Sequence, residues 1–69
     1  MKIHYYAKID ALDIVFKKGK VAETREISPE VLLDVDKKGD PVSLEILGAK
    51  ERYKPLDLKK IQFRQAAKI

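Results

Sequence analysis

The chain has no cysteine and no tryptophan, and it carries one histidine, one methionine, three glycines and three prolines. Without cysteine there is neither a disulfide framework nor a thiolate metal site, and His4 alone cannot supply a histidine-rich one. The dispersed glycines exclude a phosphate-cradling loop and a dinucleotide fingerprint. No cofactor is expected. No apolar run approaches the roughly 20 residues of a membrane-spanning helix, so no membrane partner is expected. Met1-Lys-Ile-His-Tyr-Tyr6 lacks the apolar core and small-residue cleavage site of a signal peptide. A cysteine-free chain suits a reducing compartment, and the expected location is cytoplasmic.

What remains is 69 residues with room for one small core. A core of that size supplies on the order of 3–5 kcal/mol, and natural mini-proteins add disulfides, metals or partners. With the first two excluded, self-association is the expected supplement, making a homo-oligomer. The formal net charge of +4 is unevenly placed: residues 1–47 hold eight basic and nine acidic side chains, residues 48–69 seven basic and two acidic. This asymmetry divides the chain into a single β domain over 1–53 and a basic extension over 54–69 that packs on the domain or lengthens it.

The strongest pattern lies in Val31-Leu-Leu-Asp-Val-Asp-Lys-Lys-Gly-Asp-Pro-Val-Ser-Leu-Glu-Ile-Leu47. Val31, Leu33 and Val35 share one side of the first run; Val42, Leu44 and Ile46 share one side of the second. A period of two around a turn on Gly39 and Pro41 reads as a β-hairpin with one buried face. Upstream, Lys2–Tyr6 is a first strand with Ile3 and Tyr5 on one face. Leu12, Ile14 and Phe16 alternate with Ala11, Asp13 and Val15 in a second. Lys17-Lys-Gly-Lys20 reads as a tight connection in which Gly19 supplies a positive φ. Residues 21–27 form a third, polar strand suited to a sheet edge. Ser28-Pro29 has the chemistry of a helix start, but valine stands where a capping box needs Glu or Gln, so a turn into a fourth strand is preferred. A helical turn fits 49–53, stopped by Pro55. The tail suits a short strand near 60–64 with a helical or frayed end. The fold class is therefore mainly β (small α+β): five antiparallel strands in a meander of hairpins, with closure toward a barrel and an extra C-terminal strand as further options.

Asp10-Ala-Leu, Gly19-Lys-Val-Ala-Glu-Thr-Arg-Glu26, Ser28-Pro, Asp34-Val-Asp and Leu44-Glu-Ile-Leu-Gly-Ala-Lys50 carry a resemblance over about residues 1–52. The string resembles a family of short prokaryotic proteins known as domain of unknown function 2283. The resemblance implies compact β proteins of repeated hairpins, some of which look like partners of a neighbouring small protein in toxin–antitoxin-like pairs. The family has no established catalytic residues to carry over. Two positions depart from its pattern. Asp13 stands where an aromatic residue is common, which weakens packing on that face. Glu30 stands where glycine is common, which suggests that this turn need not visit positive φ.

Asp34, Asp36, Gly39 and Glu45 fall at positions 1, 3, 6 and 12 of a calcium-loop pattern. Position 5 is Lys38, a cation aimed at the would-be ion, and the flanks alternate as strands, so the pattern is rejected. Asp34, Glu45 and Glu26 on one face suit acid–base work, but Arg25 and nearby lysines make cross-strand ion pairing the simpler account. His4, Ser28 and Ser43 offer no assembled triad. The protein is read as no enzyme. The leading expectation is an interaction module that pairs with itself, a small protein partner, or both. The alternative is weak, sequence-independent nucleic-acid binding through Lys54, Lys59, Lys60 and Arg64, with Tyr53 and Phe63 among them.

Overall fold

In the computed structural model, described for residues 1–54 and 56–67, five strands form one antiparallel sheet. They are β1 (Lys2–Tyr6), β2 (Ala11–Val15), β3 (Glu23–Ser28), β4 (Val31–Val35) and β5 (Pro41–Leu47), followed by the one-turn helix α1 (Ala49–Arg52). Short 3-10 turns occur at Ala7–Ile9 and Leu58–Lys60. The sheet is mainly β in class, as its alternation predicts, and it does not close into a barrel.

The strand order is β1-β2-β5-β4-β3. The hairpins β1–β2, β3–β4 and β4–β5 join sequential neighbours, whereas β2 and β3 stand three strands apart. Composition explains the order. A strictly sequential sheet would bury β3, Glu-Thr-Arg-Glu-Ile-Ser, at its centre and leave apolar β5 on an edge. Here all six residues of β3 are exposed on the edge, and β5 lies between β2 and β4. The segment from Phe16 to Ala22 must therefore cross about 14 Å, three strand spacings. A tight turn cannot reach that far. Gly19 accordingly has no positive φ, contrary to the sequence expectation.

The β4–β5 turn follows its residues closely. Gly39 N–H donates to the Asp36 carbonyl (3.0 Å) and Asp36 N–H to the Asp40 carbonyl (3.0 Å), with Gly39 at φ 85°. Asp36 Oδ1 also accepts from the amides of Lys38 (2.9 Å) and Asp40 (3.0 Å). This is a three-residue hairpin loop closed by a left-handed glycine and braced by an aspartate. The would-be calcium pair is thus divided, since Asp34 is engaged on the sheet by Thr24 and Ser43.

Three further expectations are corrected. The Pro29-Glu30 turn does visit positive φ: Glu30 sits at 65°, following a proline as in a type II turn. Its carbonyl accepts from Leu47 N–H (2.8 Å) and its carboxylate stands 3.6 Å from Arg52, contacts that hold the glutamate in a conformation glycine would adopt freely. Residues 61–64 form no strand, the chain there being irregular after the 3-10 turn. The core is also smaller than the alternation implies. Val31, Val35 and Val42 are buried, but Leu33, Leu44 and Ile46 are only half-buried, and Val35 is the only large side chain below 2% exposure among the described residues.

The left-handed pair Glu30 and Gly48 (φ 64°) supplies a stability test. A side chain in this region costs roughly 1–2 kcal/mol, offset in part by the greater freedom of glycine in the unfolded chain. Glu30→Gly should stabilise by about 0.5 kcal/mol even with its exposed ion pair lost. Gly48→Ala, whose Cβ would meet a Glu30 carboxylate oxygen at 3.3 Å, should destabilise by about 1 kcal/mol. Urea midpoints measured at constant m-value check both signs.

Candidate interaction surface

Directly opposed residues of antiparallel strands share a sheet face, so the registers sort every strand residue. One row across all five strands reads Ile3, Ile14, Leu44, Leu33, Arg25, and the next reads Tyr5, Leu12, Ile46, Val31, Ser28. On the other face the rows are Lys2, Val15, Ser43, Asp34, Thr24 and His4, Asp13, Glu45, Leu32, Glu26. One face is apolar across β1, β2, β5 and β4. The other carries most of the sheet's charge.

The apolar face is covered only in part: Leu12 and Val31 of its second row are buried, but its first row is not. In its first row Ile14, Leu44 and Leu33 are half-buried and Ile3 is 44% exposed. The extensive contacts between elements are those between neighbouring strands. The chain exposes 6025 Å², whereas a compact folded chain of this mass exposes about 4,400 Å². Its radius of gyration is 13.4 Å, against about 11 Å for a compact domain of this length. An apolar sheet face is stable when another layer lies against it, and this chain supplies one layer.

On the polar face, hydrogen bonds engage one carboxylate directly. Asp34 accepts hydrogen bonds from Thr24 (2.5 Å) and Ser43 (2.7 Å). Glu26 and Glu45 share its face, as the sequence suggested, but Arg25 lies on the apolar face and pairs along its own strand with Glu23 (2.7 Å). The expected cross-strand pairing of Arg25 with these carboxylates is therefore replaced by an in-strand pair. His4 stacks on Tyr6 at 6.3 Å, away from any serine partnership among the described hydrogen bonds. No group of three metal-ligating side chains occurs among the described residues.

At the α1 end, Asp10 joins three parts of the chain. Its backbone is left-handed (φ 49°), and its carbonyl accepts from Ala49 N–H (2.9 Å). Its carboxylate accepts from Tyr5 Oη (2.6 Å) and from the amides of Lys50 (2.9 Å) and Glu51 (3.3 Å). The Tyr5 hydrogen bond, then the amide of Lys50, hold the Asp10 carboxyl below the ordinary carboxylate range, while the same bond to Asp10 raises the Tyr5 phenol. Nothing in the local sequence around Asp10 points to this role. Its partner amides lie 40 residues away, and no spacing rule announces such a bond. At the opposite end Lys17 Nζ meets Asp36 Oδ2 at 2.6 Å; that contact lowers the Asp36 pKa and raises that of Lys17.

The basic tail residues named from sequence, Lys54, Lys59, Lys60 and Arg64, are all exposed and enter no ion pair among the described residues. Asp57 accepts from Lys59 N–H (2.9 Å) and starts the 3-10 turn. Ile61 and Phe63 are 56% and 92% exposed, so neither joins a core. No helix among the described residues is long and apolar enough to cross a membrane.

The profile of the family described as Protein of unknown function (DUF2283) matches residues 2–50, which span all five strands and the start of α1. The chain belongs to the DUF2283 family. No curated protein and no solved structure matches it. The DUF2283 match covers the sheet and ends before the basic tail.

The lowered carboxyls of Asp10 and Asp36 make the stability of this sheet sensitive to acid. A carboxyl whose pKa falls on folding adds stability above its unfolded value, about 3.9, and loses it as pH drops through the lower folded value. Stability should hold from pH 5 to 8 and decline below about pH 4. Asp10→Asn combined with Asp36→Asn should flatten that decline while lowering the urea midpoint at neutral pH; an unchanged acid profile would contradict the assignment.

Proposed function

We propose that this DUF2283 protein is a non-enzymatic interaction module whose apolar sheet face pairs with a second copy of itself. The observation that carries the proposal is the row Ile3, Ile14, Leu44, Leu33, none of which is buried although all four face the same way. Two such sheets packed face to face, about 10 Å apart, would interdigitate these side chains into a shared core. A standard interface buries about 800 Å² per partner, and the chain's 6025 Å² of exposed surface exceeds that of a compact chain of its mass by roughly 1,600 Å², an excess to which both this face and the exposed tail contribute. The exposed polar edge strand β3 supports the face over the edge as the joining surface, because charged edge strands resist pairing with another strand. A small partner protein, of the kind the family resemblance implies, would use the same face in place of the second copy. A cytoplasmic setting accompanies this reading and rests on the cysteine-free composition.

A second reading, sequence-independent nucleic-acid binding by Lys54, Lys59, Lys60 and Arg64, is supported by the exposure of Phe63 beside them. Such binding would weaken steeply with salt, and joint charge reversal of Lys59, Lys60 and Arg64 would abolish it.

Sedimentation equilibrium at tens of micromolar should give twice the 7.9 kDa chain mass. Leu44→Asp and Leu33→Asp should each yield a folded monomer by circular dichroism, whereas Glu45→Lys on the opposite face should leave the dimer intact. A wild-type monomer at high micromolar concentration would overturn the proposal.

A further inference from the structure

Two lysine-rich segments far apart in sequence converge at the end of the sheet opposite α1. The β2–β3 connection contributes Lys17, Lys18 and Lys20, the β4–β5 turn contributes Lys37 and Lys38, and β1 starts there with Lys2. They converge because β2 pairs with β5: Phe16 N–H donates to the Val42 carbonyl at 2.8 Å, and Ala22 N–H returns to the Val35 carbonyl at 2.8 Å. Lys17 clasps the two segments together, 2.6 Å from Asp36 and 3.9 Å from Asp40. Beside it lies a groove of about 370 Å³ lined by Lys17, Lys20, Asp36, Lys37, Lys38 and Asp40. A second hollow of about 190 Å³ shares Lys17 and is lined also by Lys2, Lys18, Val15 and Phe16.

We propose that this end of the sheet binds the phosphate backbone of single-stranded nucleic acid. The charge is lopsided, with six lysines against Asp36 and Asp40, and the Lys17 clasp already engages both aspartates. Lys2, Lys18, Lys20, Lys37 and Lys38 enter no ion pair among the described residues, and all are exposed. Lysine binds phosphate as a flexible point charge. Five such charges spread along two hollows that share Lys17 suit a ligand whose charge repeats along a chain better than one compact anion. Phe16, 37% exposed beside Lys2, Lys17 and Lys18, offers a face on which an unpaired base can stack. This surface is built from residues other than those of the tail and does not require the face-to-face dimer.

Fluorescence anisotropy with a labelled 15-nucleotide oligo-dT at 50 mM salt, using the full chain, tests the proposal. The combined Lys18→Gln, Lys20→Gln, Lys37→Gln, Lys38→Gln variant should weaken binding at least tenfold. It should also reduce the slope of log affinity against log salt by about 3, since each lost single-strand phosphate contact removes roughly 0.7. Phe16→Leu should weaken binding with the salt slope unchanged. Should the fourfold variant fail to fold, the pairs Lys18→Gln, Lys20→Gln and Lys37→Gln, Lys38→Gln carry the same test with half the change in slope. Undiminished affinity in these variants would overturn the proposal. If Gln substitution of Lys54, Lys59, Lys60 and Arg64 then abolished the binding, the tail reading would stand in its place. Absence of binding to the oligonucleotide, with or without binding to phosphatidylserine vesicles, would also overturn it.

Discussion

The fold depends on one pairing, β2 against β5. Among the described residues it is the only strand pairing between the β1–β2 hairpin and the β3–β4–β5 unit. A two-stranded hairpin is marginal in water, so without this join the first hairpin would have no lasting fold. The pairing sets Leu12 against Ile46 and Ile14 against Leu44, which extends each apolar row across the sheet. Each end of the join is fastened by a side-chain clasp. Asp10 caps α1 at one end, and Lys17 holds Asp36 at the other.

Much of this was legible in residue order. The alternation of Lys2–Tyr6, Val31–Val35 and Val42–Leu47 located three strands and their faces, and Gly39 marked its turn, because a period of two and a left-handed glycine are local signals. The polarity of residues 21–27 placed them on an edge, and that clue implies the observed order once β5 is seen to need the centre. The Asp10 clasp and the lysine-rich end were not legible, because both join residues through the β2–β5 pairing. Segmental charge counting even concealed the latter, since acidic side chains elsewhere in residues 1–47 cancel its lysines. Glu30 misled for a different reason: tertiary contacts to Leu47 and Arg52 override the preference of its turn for glycine. Of the candidate site, the tail lysines were found as exposed as their composition implied, and the unburied row of Ile14, Leu33 and Leu44 emerged only once the sheet was seen to be a single layer.

The same pairing that completes the sheet creates its demand for a partner. The apolar rows across β1, β2, β5 and β4 are too broad for one turn of helix to shield, and the chain holds no disulfide or described metal cluster to compensate. In the dimer proposed above, a second copy would supply the missing layer. The polar face and the exposed β3 edge then remain turned to water.

The claim that a second copy covers this face is tested most directly by isotope-filtered nuclear Overhauser spectroscopy on a mixture of labelled and unlabelled chains. The account predicts intermolecular contacts among the methyl groups of Ile14, Leu33 and Leu44. Intermolecular contacts confined to β3, or none at concentrations of hundreds of micromolar, would contradict it.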